Sequence, residues 1–388
     1  MLKMQVITKY FYPVAAGIEV NIQETHKKLL PMGYNIQIHT SADTLTEKNV
    51  LSIKPETVQG LKVRRYPFKW YGFIPKIDWE NIDILSLHNF NIVPHFFILL
   101  YVLFLKSMGK KKFKVILTPH GGFTPEWRIF PLLGGLLKKV YHSTIGVILI
   151  NLSVDHVRAV SEWEKLEMIK EGILKEKVAV ISNGIEDEAF VDIEKMASKS
   201  IKERVKKLGK YIIQIGRIYM IKNYETVIKS MCFLPGDLTF VIVGPVGDNA
   251  YLEKLKLLIK KLKLADRVIF IGVIRGVDKY YIIKHAQLMV HMAIWESFCN
   301  VAHEGMSQGK VCIVANNSAL PYLIRDGVNG FLVDTYDDKM LAKKINYVLQ
   351  NKNDNNIVSI QTRNKQISLE HSWEKVAIGM DRLINSEK

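Results

Sequence analysis

The sequence predicts an α/β protein made of two Rossmann-like domains facing one another across a cleft. Three observations carry this expectation. The chain has 388 residues, enough for two domains at roughly 100–200 residues each. Short Val/Ile-rich runs, many closed by glycine, alternate with longer helical patterns, as parallel strands buried on both faces do. This alternation occurs twice, on either side of a polar, charged stretch (185–210) that reads as a linker plus a helix.

In the first half, MQVIT (4–8), NIQIHT (35–40), LKVRRY (61–66), DILSLH (83–88), KVILTPH (114–120), VRAVS (157–161) and VAVISNG (178–184) read as strands. In the second, YIIQIG (211–216), LTFVIVG (238–244), RVIFIG (267–272), AQLMVHM (286–292) and KVCIVA (310–315) do the same. Helices between them imply βαβ crossovers and open, doubly wound sheets. Such sheets bind ligands beyond the carboxyl ends of their strands. The residues at those ends are His88, His120, Ser161, Asn183, Gly184, Gly216, Arg217, Gly244, Gly272 and the Trp295–Glu296 loop.

Composition narrows the partners. The formal charge of +16 favours polyanions: phosphorylated ligands, anionic membranes or nucleic acid. No nucleic-acid-binding signature accompanies it, so nucleic acid is not expected. The three cysteines form no Cys-x-x-Cys, and the His, Asp and Glu residues show no metal-ligand spacing. The opening MLKMQVITKYFYP carries a strand-length apolar piece ending at a lysine, not a signal peptide, so a cytoplasmic chain is expected. The stretch IVPHFFILLYVLFLK (92–106) is the most apolar. Its apolar part spans ~20 Å as a helix, short of a bilayer core. It is either a buried helix or one dipping into a membrane interface, where the lysines after it would meet anionic headgroups.

Two motifs carry chemistry. In GRIYMIKN (216–223) a strand ends in glycine, then Arg217 and, five residues on, Lys222. Glycine lets a ligand approach the backbone, and a guanidinium fork with an ammonium suits a diphosphate without a metal. In WESFCNVAHEGMSQGK (295–310), Ser297 would cap a helix starting near Phe298, with Glu296 just before it and Glu304 two turns along on a similar face. Two carboxylates so spaced would span a ligand with hydroxyls at both ends, such as a nucleotide sugar.

Glu296 and Glu304 with Phe298 between them resemble the Glu-x7-Glu motif of retaining glycosyltransferases of family 4, which have the GT-B fold. The resemblance runs in order along nearly the whole chain. It takes in the first loop and helix (10–40), the segments 157–172 and 178–190, IGRIYMIKNYETVIKSM (215–231), RVIFIG (267–272), the stretch 304–333, and SWEKVAIGM (372–380), which is similar to a terminal helix crossing back to the first domain. It implies an acceptor-binding domain over 1–190, a nucleotide-sugar-binding domain over 191–370, and a terminal helix over 371–388. It implies that Arg217 and Lys222 bind the donor diphosphate and that Glu304 accepts from the ribose hydroxyls. Glu296, with the backbone of Phe298 and Cys299, would hold the transferred sugar. Gly17 and Gly216 would bring backbone close to the diphosphate, Val273 would lie near the base, and His120 near the reacting centre. His120, Glu296, Arg217 and Lys222 form the expected catalytic set.

The implied reaction moves a hexose from a UDP- or GDP-linked donor, without a metal, to a lipid-linked, polysaccharide or lipopolysaccharide acceptor, with front-face attack and retention. Peripheral contact with an anionic membrane goes with it. Two other readings use the same cleft: a nucleotide-sugar epimerase, or a non-catalytic nucleotide-sugar-binding protein. The chain departs from the family pattern at Ala15-Ala16-Gly17, which keeps one glycine where a Gly-Gly pair is usual, at Cys299 in place of glycine, at Met292-Ala293 in place of Pro-Ser, and at Ser318-Ala319 in place of Gly-Gly.

Overall fold

The computed structural model describes every residue except 15, 16, 45, 46, 71, 91, 92, 124–131, 387 and 388. The chain divides into two compact units. Unit 1 is Met1–Gly184 with Trp373–Lys388, and unit 2 is Ile185–Ser372.

Unit 1 carries an eight-stranded sheet: β1 (Leu2–Ile7), β2 (Tyr34–Ser41), β3 (Glu56–Val58), β4 (Leu61–Tyr66), β5 (Ile84–His88), β6 (Lys114–Thr118), β7 (His156–Ala159) and β8 (Val178–Val180), in the order β3-β4-β2-β1-β5-β6-β7-β8. All pairs are parallel except β3–β4. Strand β3 lay outside the sequence expectation. It is a three-residue edge strand, made by a tight turn at Gln59 and Gly60, both with positive φ. One face of the sheet packs Met4, Val6, Ile36 and Ile38 against Ile22 and against Ala377, Met380 and Ile384 of the terminal helix. The other packs Leu85, Leu87 and Leu117 against Ile98, Leu99, Leu149 and Ile150.

The terminal helix Trp373–Asn385 is therefore part of unit 1. Tyr34 donates to Asp381 at 2.6 Å, and Lys114 donates to the Ile384 carbonyl at 2.8 Å. The chain returns to this unit hard against Gly184, where an added Cβ would lie 2.7 Å from the Trp373 nitrogen. Only glycine fits there.

Unit 2 carries a six-stranded parallel sheet: β9 (Lys210–Ile215), β10 (Leu238–Val243), β11 (Val268–Gly272), β12 (Met289–His291), β13 (Cys312–Ala315) and β14 (Gly330–Val333), in the order β11-β10-β9-β12-β13-β14. The stretch 185–210 is not a linker. Ala189, Ile193, Ala197, Ile201 and Val205 all enter the core of this unit. They come from a short turn (Asp187–Ala189) and two short helices (Ile193–Met196 and Lys199–Leu208), with extended backbone at Ala197 and Ser198 between the helices.

Candidate donor and histidine sites

In unit 2 the predicted residues gather at the carboxyl ends of β9, β10, β11 and β12. Strand β9 ends at Ile215, and Gly216 follows with φ 155°. It runs so close to Gly244 that a Cβ on Gly244 would fall 2.0 Å from the Gly216 carbonyl oxygen. That carbonyl accepts from Tyr224 Oη at 2.7 Å. The loop that follows is pinned at both ends. Gln214 Nε2 donates to the Lys222 carbonyl at 2.8 Å. Asn223, in the left-handed region, donates through Nδ2 to the carbonyls of Met292 (2.9 Å) and Thr335 (2.7 Å). Arg217 is exposed and has no carboxylate partner among the described residues. Val273, exposed, follows Gly272 at the end of β11.

Lys222 and Glu296 meet in one ion pair. The ammonium lies 2.5 Å from Glu296 Oε1, and His291 Nε2 lies 2.7 Å from the same oxygen. Burial works to raise the Glu296 carboxyl, but the charge of Lys222 and then the hydrogen bond from His291 outweigh it and hold the group at about 2. The carboxylate is thus ionised at any physiological pH. His291 is pushed down by burial, against the pull of Glu296.

The helix start differs from expectation. The helix runs Asn300–Ser307, and its N-cap position is Cys299, at φ 78° and ψ 67°, with no side-chain cap. Ser297 does not cap it. Glu296 sits outside the helix, so it does not share a helical face with Glu304. Instead its N–H donates to Ser318 Oγ at 2.9 Å and its carbonyl accepts from Ala319 N at 3.2 Å. Cys299 and Ser318 (φ 45°) both occupy left-handed backbone, where the family pattern has glycine. A glycine would adopt either conformation without a Cβ clash. Phe298 and Cys299 are buried.

Glu304 lies in a second charged cluster. Lys279, on the helix Gly276–His285, bridges Glu304 (3.0 Å) and Glu186 (2.5 Å), and Tyr280 Oη donates to Glu186 at 3.0 Å. Burial pushes Glu304 up and Glu186 adds to this, while Lys279 opposes it. Burial alone would lower Lys279, but the two carboxylates outweigh it and raise its affinity for the proton. Sequence reasoning missed Lys279, Glu186 and His291. Only His291, a polar residue at a strand end, carried a positional signal.

In unit 1, His88 and His120 stand at the ends of the neighbouring strands β5 and β6. His88 Nδ1 and His120 Nε2 are 2.9 Å apart, and Ser86 Oγ lies 3.1 Å from His88 Nε2. Both rings are pushed well below the ordinary histidine range, first by burial and then by nearby His26 and Arg158. Gly17 opens the helix Gly17–Leu29. Ala15 and Ala16, which precede it in the loop where the family pattern has a Gly-Gly pair, lie outside the described residues.

His291, Glu296 and Cys299 offer three possible metal ligand atoms within 4.8 Å of one another. They suit a cation poorly as arranged, because the Lys222 ammonium already occupies Glu296 Oε1 and burial holds Cys299 in its thiol form.

The comparisons with known proteins bear on the family and the fold. Residues 15–189 match the family model Glycosyltransferase Family 4, and residues 196–365 match Glycosyl transferases group 1. The chain is 26% identical to a glycosyltransferase of Methanocaldococcus jannaschii, over 96% of each chain. It is 24% identical to the gpi3 subunit of the phosphatidylinositol N-acetylglucosaminyltransferase of Schizosaccharomyces pombe, covering 98% of this chain and 80% of that one. Among solved structures, HepE of Anabaena in complex with UDP and glucose superposes with a TM-score of 0.77 over the whole of both chains, at 18% identity. With one glycosyltransferase model over most of each unit and two parallel-sheet α/β units like those of its neighbours, the chain is a glycosyltransferase of the family 4 type with a GT-B fold.

Proposed function

We propose that the chain transfers a hexose with retention from a nucleoside-diphosphate donor to an acceptor carried on or near a membrane. The observation that carries the donor half is an exposed arginine with no carboxylate partner among the described residues, five residues from an ion-paired lysine, at glycine-lined strand ends. Negative charge grows on the diphosphate as the glycosidic bond breaks, and fixed cations such as Arg217 and Lys222 stabilise that charge. Glu296, ionised and outside the helix, accepts hydroxyls of the transferred sugar. Glu304 accepts the ribose hydroxyls. In the front-face mechanism the acceptor oxygen bonds to the anomeric carbon on the face the diphosphate leaves, and its proton passes to the departing phosphate oxygen. No metal is needed in this scheme. The family resemblance is what assigns His120 a role near the sugar. The HepE neighbour was solved with UDP, which makes UDP the first nucleotide to test.

The acceptor half rests on the surface of unit 1. The helix Val93–Ser107 buries Ile98, Leu99 and Val102 but exposes Phe97, Leu100, Tyr101 and Phe104. Its buried face packs in the core of unit 1, and its exposed apolar face is what supports the interfacial reading. The helical stretch Leu133–Ser153 is long and apolar enough to cross a membrane by length and composition. It packs on the unit through Leu149 and Ile150 and exposes Leu133, Leu136, Leu137, Val140, Ile145 and Ile148. Lys106, Lys110, Lys112, Lys138 and Lys139 accompany these faces. Exposed apolar side chains beside cations fit an anionic bilayer surface.

The test is a thermal-shift screen with UDP, GDP and ADP and their sugars, without added metal. A shift with one base, lost in Arg217→Ala, supports the donor site. No shift with any nucleotide would favour the non-catalytic reading. Flotation with anionic vesicles at low salt tests the membrane half; a protein that stays in the soluble fraction would remove it.

A further inference from the structure

We propose that His88 is a positioning residue for His120, the middle member of a Ser86–His88–His120 chain that fixes which ring nitrogen His120 turns toward substrate. The inference rests on the reading of His120 as a residue near the transferred sugar.

The geometry is specific. His120 has φ 53° and Gly121 has φ 77°, two consecutive left-handed residues one proline beyond the end of β6. This conformation is costly for a non-glycine residue and persists only where the surroundings enforce it. Glu164 enforces it from one side, accepting the Gly121 N–H at 2.5 Å and the Val160 N–H at 2.7 Å. His88 enforces it from the other, through the 2.9 Å contact to His120 Nε2. The two rings lie 5.3 Å apart, only 22° from parallel.

His88 is itself clamped. Ser86 Oγ meets its Nε2, the His88 carbonyl accepts from His95 Nε2 at 3.0 Å, and the His26 ring packs edge-on at 5.2 Å. His26 is in turn fixed through its Nδ1 to the Ile22 carbonyl at 2.7 Å. Arg158, buried nearby, directs its guanidinium donors to the carbonyls of Ile181 and Ser182 and to Asn21 Oδ1 rather than to the histidine rings.

His120 Nε2 is thus committed to His88, and its Nδ1 has no hydrogen-bond partner among the described residues. A neutral imidazole donates at one nitrogen and accepts at the other. Whichever way the Ser86–His88 hydrogens point, they dictate the role left to His120 Nδ1, as an orienting group does behind a histidine in other active sites.

The experiment combines selective nitrogen-15 labelling of histidine with turnover of UDP-glucose, read as UDP release. The variants are H88A, H88N and H120A, and loss of a signal in H120A assigns the His120 ring. The wild type should show one fixed neutral tautomer of His120. H88A should show a mixture, with turnover down roughly tenfold or more, while the UDP-induced rise in melting temperature is unchanged. H88N, whose amide reaches the Nδ1 position, should recover the single tautomer and most of the rate. His120 shifts unaltered in H88A, or turnover lost in H120A but intact in H88A, would overturn the inference. Turnover intact in both variants would instead overturn the reading of His120 on which it rests.

Discussion

Replacing Lys222 with methionine keeps the aliphatic stem and removes the ammonium, leaving Glu296 buried with His291 as its remaining partner. The carboxyl is held at about 2 against an ordinary 4.5, and Lys222 is the largest influence lowering it. A displacement of that size corresponds to about 3 kcal/mol, within the range seen when one partner of a buried ion pair is removed. For a unit of this size it should lower the melting temperature of unit 2 by roughly 6–12 °C at pH 7. The sign follows from linkage. A depressed carboxyl contributes stability that is present above 4.5 and lost as pH falls toward 2. In K222M the burial that remains pushes the same carboxyl up, so the variant gains stability as it takes a proton. The gap between wild type and variant should therefore be full near pH 7 and narrow as pH falls below about 5. Differential scanning calorimetry across pH 4–8 reads both quantities. Adding Glu296→Gln to K222M should recover much of the loss, since no buried charge is then left alone. A K222M shift below about 2 °C at pH 7, or a gap unchanged down to pH 4, would refute the reasoning.

Other outcomes follow from the same physics. Lys279→Met leaves Glu186 and Glu304 as facing carboxylates without their shared cation; unit 2 should lose about 3–5 kcal/mol by thermal denaturation, with the loss easing at low pH as Glu304, already raised, takes a proton. Cys299→Gly should be within about 1 kcal/mol of wild type, whereas Cys299→Val, a β-branched residue at φ 78°, should cost about 2 kcal/mol or more; equal melting temperatures for the two would count against backbone strain there. Gly184→Ala places a methyl 2.7 Å from backbone that cannot retreat and should cost about 1–3 kcal/mol, seen as faster proteolysis of the terminal helix.

What the sequence disclosed depended on how local the signal was. Strands such as β10 and β13 are short apolar runs that bury both faces, and their pattern is complete within a few residues. Strands β3 (ETV) and β14 (GFLV) are sheet edges with a single valine each, so no Val/Ile run marked them. The segment 185–210 misled by its charge, and its apolar residues reach the core from a turn and two short helices rather than from one periodic helix. Ser297 had the chemistry of a cap, yet the helix waits for Cys299, because the backbone before it is held by Ser318. The two carboxylates and two cations of the donor site were visible as residue types. Their pairing was not: Lys222 and Glu296 lie 74 positions apart, and Lys279 meets Glu186 only because the chain after Gly184 folds onto unit 2. His88 and His120 could be placed at strand ends, but their contact depends on the β5–β6 register, which pairs His88 with Thr118.

The discontinuity of unit 1 has a consequence for biogenesis. The ribosome completes Ile185–Ser372 before it makes Trp373 and the helix that follows. At ~5–20 residues per second, the sheet face built from Met4, Ile36 and Ile38 waits on the order of ten seconds or longer for Ala377, Met380 and Ile384. Through that interval the nascent chain presents an uncapped apolar surface, a binding target for chaperones. A premature stop anywhere in the second unit would then be read by the cell's quality control as a defect of the first.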